Sequence, residues 1–242
     1  MLVGREGLDR LERATVMVVG LGGVGAVAAE MVARAGAGNM IILDSDAVSE
    51  TNKNRQIIAA DSTIGRRKTE IVAARLRDIN PDINLTVINE YLTETNIPAL
   101  VPADVDFLID AIDTLAPKLA LIKYCVDSGI KLVSSMGSGA KYDVTKIRIT
   151  DLSKSFNCPL AYIVRKKLRK MGISKGFPVV FSEELPQESA IVEMTPAEMS
   201  EVSNKKSQVG TISYLPAAFG CACAQAAVTS ILKKNQPTNH IS

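Results

Sequence analysis

Short apolar runs alternate with longer segments of helical period along residues 1–136. The runs are rich in β-branched residues and have few polar positions, so both faces of each strand are expected to be covered. This pattern predicts a parallel sheet wound by crossover helices. The predicted strands are 15–19, 40–43, 85–88, 105–109 and 131–134, and the predicted helices are 24–35, 66–80 and 117–128.

The second part of the chain carries a weaker pattern. We expect an antiparallel strand at 146–150, a basic helix at 159–171 and a strand at 178–181. The segment 182–208 is rich in Glu, Ser, Pro and Lys, which predicts a long mobile loop. The uncharged segment 211–232 is predicted to form a strand followed by a buried helix.

The predicted fold class is α/β: a doubly wound, Rossmann-like, mostly parallel sheet with helices on both faces, extended by antiparallel strands and a C-terminal helix. A chain of 242 residues, 47% of them hydrophobic, is long enough for one substantial core. We therefore expect a single domain over 1–242. Residues 1–136 would form its nucleotide-binding core, and 137–242 an extension that faces the substrate and a dimer partner.

The net charge of +2 gives no bulk attraction to nucleic acid, and no DNA partner is expected. The four cysteines lack CxxC spacing, which argues against a structural zinc site and against a secreted disulfide framework. The N-terminal residues carry frequent charges and resemble no signal peptide, so a cytoplasmic location is expected. Membrane association through 211–232 is a minor alternative, because that segment is long enough to cross a bilayer.

A glycine-rich turn links the first predicted strand to the first predicted helix in "VMVVGLGGVGAVAAE". Gly20, Gly22 and Gly25 satisfy G-x-G-x-x-G, where glycine lets phosphate approach the backbone and the helix N-terminus offers N–H groups to an anion. Asp44 ends the second strand 19 residues after Gly25, a position suited to the ribose hydroxyls. These features alone would also describe an NAD oxidoreductase.

Three further motifs favour a triphosphate over a nicotinamide. The segment "DSDAVSETNKNRQ" follows the second strand, and "TIGRRK" places Lys68 in the first turn of a helix, within reach of phosphates. "LIDAIDT" places Asp110 and Asp113 just beyond the fourth strand, a position suited to Mg²⁺. The polar residues of the first motif are Asp44, Asp46, Asn52, Asn54, Arg55 and Gln56.

Each of these side chains also has an ordinary structural explanation. Lys68 could be a solvated helix residue, Arg55 could pair with a neighbouring aspartate, and Asp110 could cap a turn. All of them, however, follow the C-terminal ends of successive parallel strands. Since ligands bind at that edge of a doubly wound sheet, the sequence predicts one site.

In order and spacing, "GLGGVG", "LDSDAVSETNKNRQ", "IGRRK", "INPDI" and "DAIDT" resemble the ubiquitin-activating-enzyme-like superfamily of adenylating enzymes, the ThiF, MoeB and HesA type. Within it, "SSMGSGAKYDVTKIRITDLSKSFNCPLAYIVRKKLRK" and "FPVVFSEELP" resemble the tRNA threonylcarbamoyladenosine dehydratase branch. The resemblance implies a reaction on tRNA that needs ATP and Mg²⁺. The carboxylate of threonylcarbamoyladenosine would be adenylated and then cyclised with loss of AMP.

The resemblance also implies roles for individual residues. Arg55, Lys68 and Asp113 would be catalytic, with Asp113 holding Mg²⁺. The nucleotide would contact the glycine turn and the two polar segments, at Gly20, Gly22, Gly23, Gly25, Asp44, Asp46, Asn52, Arg55, Gln56, Lys68 and Asp110. It further implies a homodimer, and it leaves open a monovalent cation and a sulfur-relay partner of the cysteine desulfurase or SufE-like type.

Family members usually carry an arginine upstream of the "LxG" segment that reaches into the partner subunit's site. Met1 lies just after that position, and Arg5 and Arg10 are poor substitutes by position. We therefore expect ATP binding by the chain as given, with the arginine either trimmed or absent. Cys158 is expected to be a small buried residue before a helix, and Cys221 and Cys223 to face different sides of theirs.

The basic helix is the expected tRNA contact, since it carries the densest cluster of positive charge. That cluster consists of Arg165, Lys166, Lys167, Arg169, Lys170 and Lys175. Three alternatives stay open at this point. The chain could activate a ubiquitin-like sulfur carrier, it could be a nucleotide-binding scaffold that has lost catalysis, or it could be an NAD oxidoreductase.

Overall fold

The computed structural model describes residues 2–193 and 207–233 and contains a seven-stranded sheet. Its strands are β1 Thr15–Val19, β2 Asn39–Leu43, β3 Asn84–Ile88, β4 Phe107–Asp110, β5 Leu132–Ser135, β6 Ile147–Asp151 and β7 Pro178–Ser182. They lie in the order β3-β2-β1-β4-β5-β7-β6. All neighbours pair in parallel except β6 and β7, which are antiparallel, as the sequence predicts.

Helices cover both faces of the sheet. They are α1 Gly4–Arg13, α2 Gly25–Arg34, α3 Lys68–Ile79, α4 Ile97–Leu100, α5 Leu115–Asp127, α6 Pro159–Lys170 and α7 Tyr214–Leu232. Strand β1 shows why the strands are apolar throughout. Val16 and Val18 belong to the core that α2, α3 and α7 cover, whereas Met17 and Val19 belong to the core under α5 and α6. The predicted doubly wound α/β fold is confirmed.

The chain reverses its direction of travel across the sheet at β1. From β1 it builds outward through β2 to β3, and it then returns to place β4 on the other side of β1. Such a reversal opens a crevice at the carboxyl ends of the two central strands, where doubly wound proteins bind their ligands. The glycine turn that follows β1 therefore lies in that crevice.

The uncharged segment before the C-terminus differs in detail from the prediction. Residues 211–213 form no strand, and α7 occupies most of the segment. Helix α7 is long and apolar enough to cross a membrane, but half of its apolar window is buried. Phe219, Cys223 and Ala227 of α7 are fully buried in the core shared with α2. Packing inside the α/β core thus accounts for its apolar character.

Part of the segment 182–208, for which a mobile loop was predicted, has regular structure. A short strand β8 (Ile191–Glu193) pairs antiparallel with β9 (Ser207–Val209). Ser182 itself is the last residue of β7. Residues 194–206 of the predicted loop lie outside the described part of the chain.

Candidate functional site

The glycine turn is packed so closely that a Cβ atom would clash with backbone at Gly20, Gly23 and Gly25. Gly20 has a φ of +88°, and a Cβ there would lie 2.8 Å from the carbonyl oxygen of Ala111. A Cβ on Gly25 would lie 1.7 Å from the carbonyl oxygen of Gly20. Helix α2 begins at Gly25 without a side-chain cap. The Ala26 N–H donates to the Gly22 carbonyl at 3.1 Å, but no side chain covers this helix end, which stays open to an anion in the crevice.

Asp44 lies at the end of β2, beside the glycine turn. Its Oδ2 accepts a hydrogen bond from the Leu21 N–H at 2.6 Å, and its Oδ1 accepts one from the Asp46 N–H at 2.7 Å. Burial raises the pKa of this carboxyl, while the positive charge of Lys68 and the two N–H donors act to lower it. The two backbone bonds fix the carboxylate at the rim, where each oxygen keeps a second lone pair for a ribose hydroxyl.

Lys68 is the first residue of α3, and its ammonium points back to the end of β2. Its Nζ donates to Asp46 Oδ2 at 2.8 Å, although Asp46 lies 22 residues earlier in the chain. The lysine side chain is 7% exposed, whereas that of Asp46 is 64% exposed. The ammonium thus has a fixed location and a partner that water can replace.

The loop between β2 and α3 holds Asn52 inside and Arg55 at its surface. Asn52 is buried, and its Oδ1 accepts from the Ser49 N–H as part of a capping box. Arg55 Nη1 donates to the Thr51 carbonyl and to Asn54 Oδ1 at 3.0 and 2.8 Å. The guanidinium is held by neutral acceptors, which leaves its full charge for an anion. The sequence also allowed an ion pair between Arg55 and a neighbouring aspartate, but these two hydrogen-bond acceptors are uncharged.

Gln56 packs against the glycine turn and carries an unsatisfied polar atom. Its Oε1 is buried and has no hydrogen-bond partner in the part of the chain that the structure describes. A Cβ on Gly22 would lie 3.6 Å from Gln56 Nε2, and one on Gly23 would lie 2.9 Å from the Arg55 carbonyl oxygen. A buried acceptor without a partner is costly, so a ligand donor at this position would be favoured.

The sequence predicts that Asp110 contacts the nucleotide, but the structure buries its side chain below the crevice. Its carboxylate is fully buried and forms an ion pair of 2.6 Å with Lys118, which is also fully buried. Ser134 Oγ donates to the same Oδ2, and the Ile112 N–H donates to Oδ1. The expected contact of Asp110 with the nucleotide does not fit this arrangement. The residue instead ties β4, β5 and α5 together beneath the site.

Asp113 lies three residues beyond β4 and is exposed. Among the described residues no three His, Cys, Asp or Glu side chains are grouped so that they could hold a metal ion. Mg²⁺ commonly binds one or two carboxylates and completes its shell with phosphate oxygens and water. The exposed carboxylate of Asp113 fits that donor set, provided that a nucleotide supplies the phosphates.

Cys158, Cys221 and Cys223 occupy the positions that the sequence suggests. Cys158 is buried at the N-cap of α6, and on α7 Cys223 is buried while Cys221 is exposed. Burial raises the pKa of the Cys125 and Cys223 thiols to about 12. At neutral pH these two thiols are protonated and are poor nucleophiles.

The basic cluster is exposed, but it lies away from the crevice. Helix α6 begins near Gly137, just beyond the carboxyl end of β5, and runs toward the start of β7 at the opposite edge of the sheet. Its 12 residues span about 18 Å. Arg165 donates to the Ser155 carbonyl and is half-buried. The exposed members are Lys166, Lys167, Arg169, Lys170 and Lys175.

Arg5 and Arg10 also lie away from the crevice. They belong to α1, which leads into the start of β1 at the amino edge of the sheet. Arg10 Nη1 donates to the Leu232 carbonyl at the end of α7. Neither arginine is placed to contact a phosphate in the crevice of its own chain.

The structure therefore brings most of the predicted residues to one edge and adds two that the sequence did not suggest. Lys118 and Ser134 complete the partners of Asp110. The sequence did not predict a buried role for Lys118, because a lysine near the start of a helix is normally solvated.

A glycine turn at the switch point of a doubly wound sheet, an uncapped helix N-terminus and a rim of lysine, arginine and aspartate define a nucleotide-phosphate-binding α/β protein. The chain belongs to the ThiF family, whose model matches residues 1–241.

Relatives and solved structures agree with this assignment. The chain is 44% identical over 186 residues to the tRNA threonylcarbamoyladenosine dehydratase of Bacillus subtilis, covering 77% of this chain and 73% of that protein. It is 36% identical to the protein of the same name from Escherichia coli, covering 96% and 91%. The crystal structure of E. coli TcdA in complex with ATP superposes with a TM-score of 0.86 at 35% identity and covers 96% and 91%.

Proposed function

We propose that this chain is an ATP-dependent dehydratase that adenylates the carboxylate of threonylcarbamoyladenosine in tRNA and closes it to the cyclic form. The observation that carries the proposal is the position of Lys68 and its exposed partner Asp46 beside the glycine turn and the uncapped N-terminus of α2. This geometry fits the phosphates of a nucleotide, and relatives at 34–44% identity bear the name of this activity.

The proposed chemistry has two steps. A carboxylate oxygen of the substrate attacks the α-phosphorus of ATP, and the bond to pyrophosphate breaks. A nucleophilic atom of the same modified side chain then attacks the acyl carbon and expels AMP, which carries away the carboxylate oxygen. The product is lighter by one water, and no cysteine takes part.

The rim residues divide the work between binding and charge stabilisation. Asp44 would accept from the ribose hydroxyls, Asn52 would line the phosphates, and Gln56 Oε1 would accept from a hydroxyl or amino group of the nucleotide. Lys68 and Arg55 would offset the negative charge that spreads over the departing pyrophosphate, which is where a fixed cation lowers the barrier. Asp113 would hold Mg²⁺, whose chemistry when bound is to neutralise phosphate oxygens.

The outward face of α6 is the proposed contact for the tRNA backbone. Lys166, Lys167, Arg169 and Lys170 are exposed, and none has a carboxylate partner within the described part of the chain. Phosphate contacts of this kind release counterions and make binding salt-dependent. Their distance from the crevice suits a substrate as long as tRNA, whose body extends beyond the modified nucleoside.

We also propose a homodimer that uses the edge strand β6 and helix α7. A shallow groove between these elements is lined by apolar side chains, among them Ile147, Ile149 and Ala222, and by the polar side chains of Arg148 and Gln225. Pairing two copies across this groove would cover an apolar strip and the sheet edge. Light scattering should give a dimer, and Ile149→Asp should give a monomer; a monomeric unaltered protein would refute this assembly.

Other parts of the proposal concern conditions and partners. None of the proposed steps transfers sulfur, so the purified chain should cyclise its substrate without a cysteine desulfurase or SufE-like protein. We propose a cytoplasmic location, in keeping with the tRNA substrate.

A monovalent cation near the site would show as a loss of activity when K⁺ is replaced by tetramethylammonium.

The test is mass spectrometry of nucleosides from tRNA that carries threonylcarbamoyladenosine, incubated with the protein, ATP and Mg²⁺. The proposal expects a nucleoside that is lighter by one water. It also expects the release of one AMP per turnover. ATP binding without pyrophosphate exchange would instead identify a scaffold that has lost catalysis. Pyrophosphate release only with a ubiquitin-like sulfur carrier would identify an activator of that carrier.

A further inference from the structure

Three exposed aromatic side chains lie on segments that adjoin one another next to the crevice. Tyr142, Phe156 and Tyr162 are 54%, 48% and 58% exposed, although the chain has only ten Tyr and Phe residues and no Trp. We call these three residues the aromatic patch. Exposed rings cost free energy in water, and several of them on adjoining segments point to a binding surface.

Hydrogen bonds join the segments that carry the patch. Lys141 Nζ donates to the Ser182 carbonyl at 2.9 Å and to the Asn157 carbonyl at 3.4 Å. Asn157 Nδ2 donates to the Glu183 carbonyl at 2.8 Å. Tyr142 itself lies in no helix or strand, and its N–H donates to the Glu184 carboxylate at 3.0 Å. The loops after β5 and β7 and the start of α6 thus form one fixed surface.

The ring of Phe156 is held by a side-chain contact, whereas Tyr142 and Tyr162 are held through their backbone. Phe156 packs edge to face against buried Phe181, with ring centroids 5.5 Å apart. Tyr162 lies in the second half of the first turn of α6, whose N-cap is Cys158. A ring that is already held in place loses little conformational entropy when a ligand stacks on it.

The patch lies between the crevice and the basic helix face. Thr211 links the loop after β5 to the loop between β2 and α3. A Cβ on Gly139 would lie 3.2 Å from Thr211 Oγ1, and Asn54 Nδ2 donates to the Thr211 carbonyl. On the other side, Tyr162 and Lys166 are four residues apart and share one face of α6. The aromatic patch therefore lies between the crevice and the positively charged face of α6.

The charge around the patch favours a polyanion over an apolar protein partner. Lys154 and Lys166 are exposed beside it. The carboxylates near Tyr142 have partners within the protein. Glu184 accepts from the Tyr142 and Asp143 N–H groups, Asp143 accepts from Thr145, and Glu183 pairs with Arg148 at 3.0 Å. Rings interleaved with lysines are the usual surface for unpaired nucleotides.

The substrate chemistry supplies unpaired nucleotides at this position. A threonylcarbamoyl group on N6 occupies the pairing edge of adenosine, so the modified base is unpaired and interrupts any duplex, which leaves the faces of the adjoining bases open to stacking. Proteins recognise such single-stranded segments by stacking bases on aromatic side chains. Resting on the proposed function, we propose that the aromatic patch stacks the unpaired bases that flank threonylcarbamoyladenosine, while the basic face of α6 binds phosphates of the adjoining stem.

The test uses a fluorescent stem-loop RNA whose loop carries threonylcarbamoyladenosine, and a fully paired duplex of the same stem. Tyr142→Leu/Phe156→Leu/Tyr162→Leu keeps apolar area but removes the stacking faces. This variant should bind the stem-loop about ten-fold more weakly, with duplex affinity and the salt dependence unchanged. Tyr142→Phe/Tyr162→Phe should bind as the unaltered protein does, and so should Tyr91→Ala, which removes an exposed ring beyond β3 at the other side of the sheet.

Two results would overturn the proposal. One is an unchanged stem-loop affinity in the triple-leucine variant with ATP binding retained, which would leave a protein partner as the occupant. The other is an equal loss for stem-loop and duplex. If the unaltered protein binds the stem-loop through these rings but forms no cyclic product, the proposed function fails and the stacking surface stands. If the triple variant does not fold, the single variants Tyr142→Leu and Tyr162→Leu give the same comparison.

Discussion

Two aspartate–lysine pairs lie at the carboxyl edge of the same sheet, and they differ in exposure. Asp110 and Lys118 are both fully buried and 2.6 Å apart, with Ser134 as a further donor. Asp46 and Lys68 are 2.8 Å apart, but the Asp46 side chain is 64% exposed. The first pair has no access to a ligand, whereas the second can exchange its carboxylate for a phosphate.

Burial decides what each pair can do. Removing one partner of a buried ion pair leaves an uncompensated charge in a medium of low polarity, which is strongly destabilising. Breaking an exposed pair costs little, because water solvates the freed carboxylate. The comparison indicates that the buried pair maintains the edge of the sheet and that Lys68 serves the ligand.

The largest expected effect concerns the buried pair. Lys118→Met should lower the free energy of unfolding by about 3–5 kcal/mol, because it strands the Asp110 carboxylate in the core. Urea denaturation measures this change. Adding Asp110→Asn to Lys118→Met should recover part of the loss, and a loss below about 1 kcal/mol in the single variant would show that the pair does not hold the edge.

Lys68→Ala should leave the fold nearly intact and impair catalysis. The rate of ATP–pyrophosphate exchange should fall by about 10²–10³-fold, the usual effect of removing one fixed donor from a developing negative charge. The free energy of unfolding should fall by roughly 1–2 kcal/mol, less than for Lys118→Met, because the lysine stem is buried and its charge compensates the buried Asp44 carboxylate. Exchange at the unaltered rate would remove Lys68 from the mechanism; Lys123→Ala on α5, a lysine in an exposed pair with Asp127, is the matched control.

Asp113→Asn should change the metal requirement of the reaction. With a weaker ligand at this position, half-maximal exchange should need about ten-fold more Mg²⁺, while ATP affinity without metal should be unchanged. A Mg²⁺ titration of the exchange rate measures the effect. The same titration curve for both proteins would place the metal ligand elsewhere.

The smallest effect is expected for Asp46→Asn. The exposed carboxylate contributes less than about 1 kcal/mol to stability, and its removal frees Lys68 for phosphate. ATP affinity by calorimetry should stay the same or rise by a few-fold. A large loss of ATP affinity would mean that Asp46 itself contacts the nucleotide.

The sequence predicted the sheet well because burial on both faces leaves a clear signal. β1 agrees residue for residue with the prediction, and the other central strands agree to within two residues at each end. Helix α1 was missed since its charges and two glycines obscure an apolar side that packs through Leu11. The β8–β9 pair was missed because three-residue strands give no periodicity.

For the site, the sequence indicated the edge but could not decide which way each acid points. Asp110 and Asp113 lie three residues apart in one motif, and only the fold shows that Lys118 arrives from α5 to bury the first of them. In the same way, the partner of Lys68 is 22 residues away in sequence. Contacts between loops of separate strands depend on the crossovers, which the local pattern does not contain.

The most direct measurement is a crystal structure of the protein with a non-hydrolysable ATP analogue and Mg²⁺. The account predicts that Lys68 Nζ leaves Asp46 and lies about 2.7–3.2 Å from a phosphate oxygen, while Lys118 stays on Asp110. Phosphates beside the glycine turn with Lys68 still paired to Asp46, or a nucleotide bound away from this edge, would contradict it.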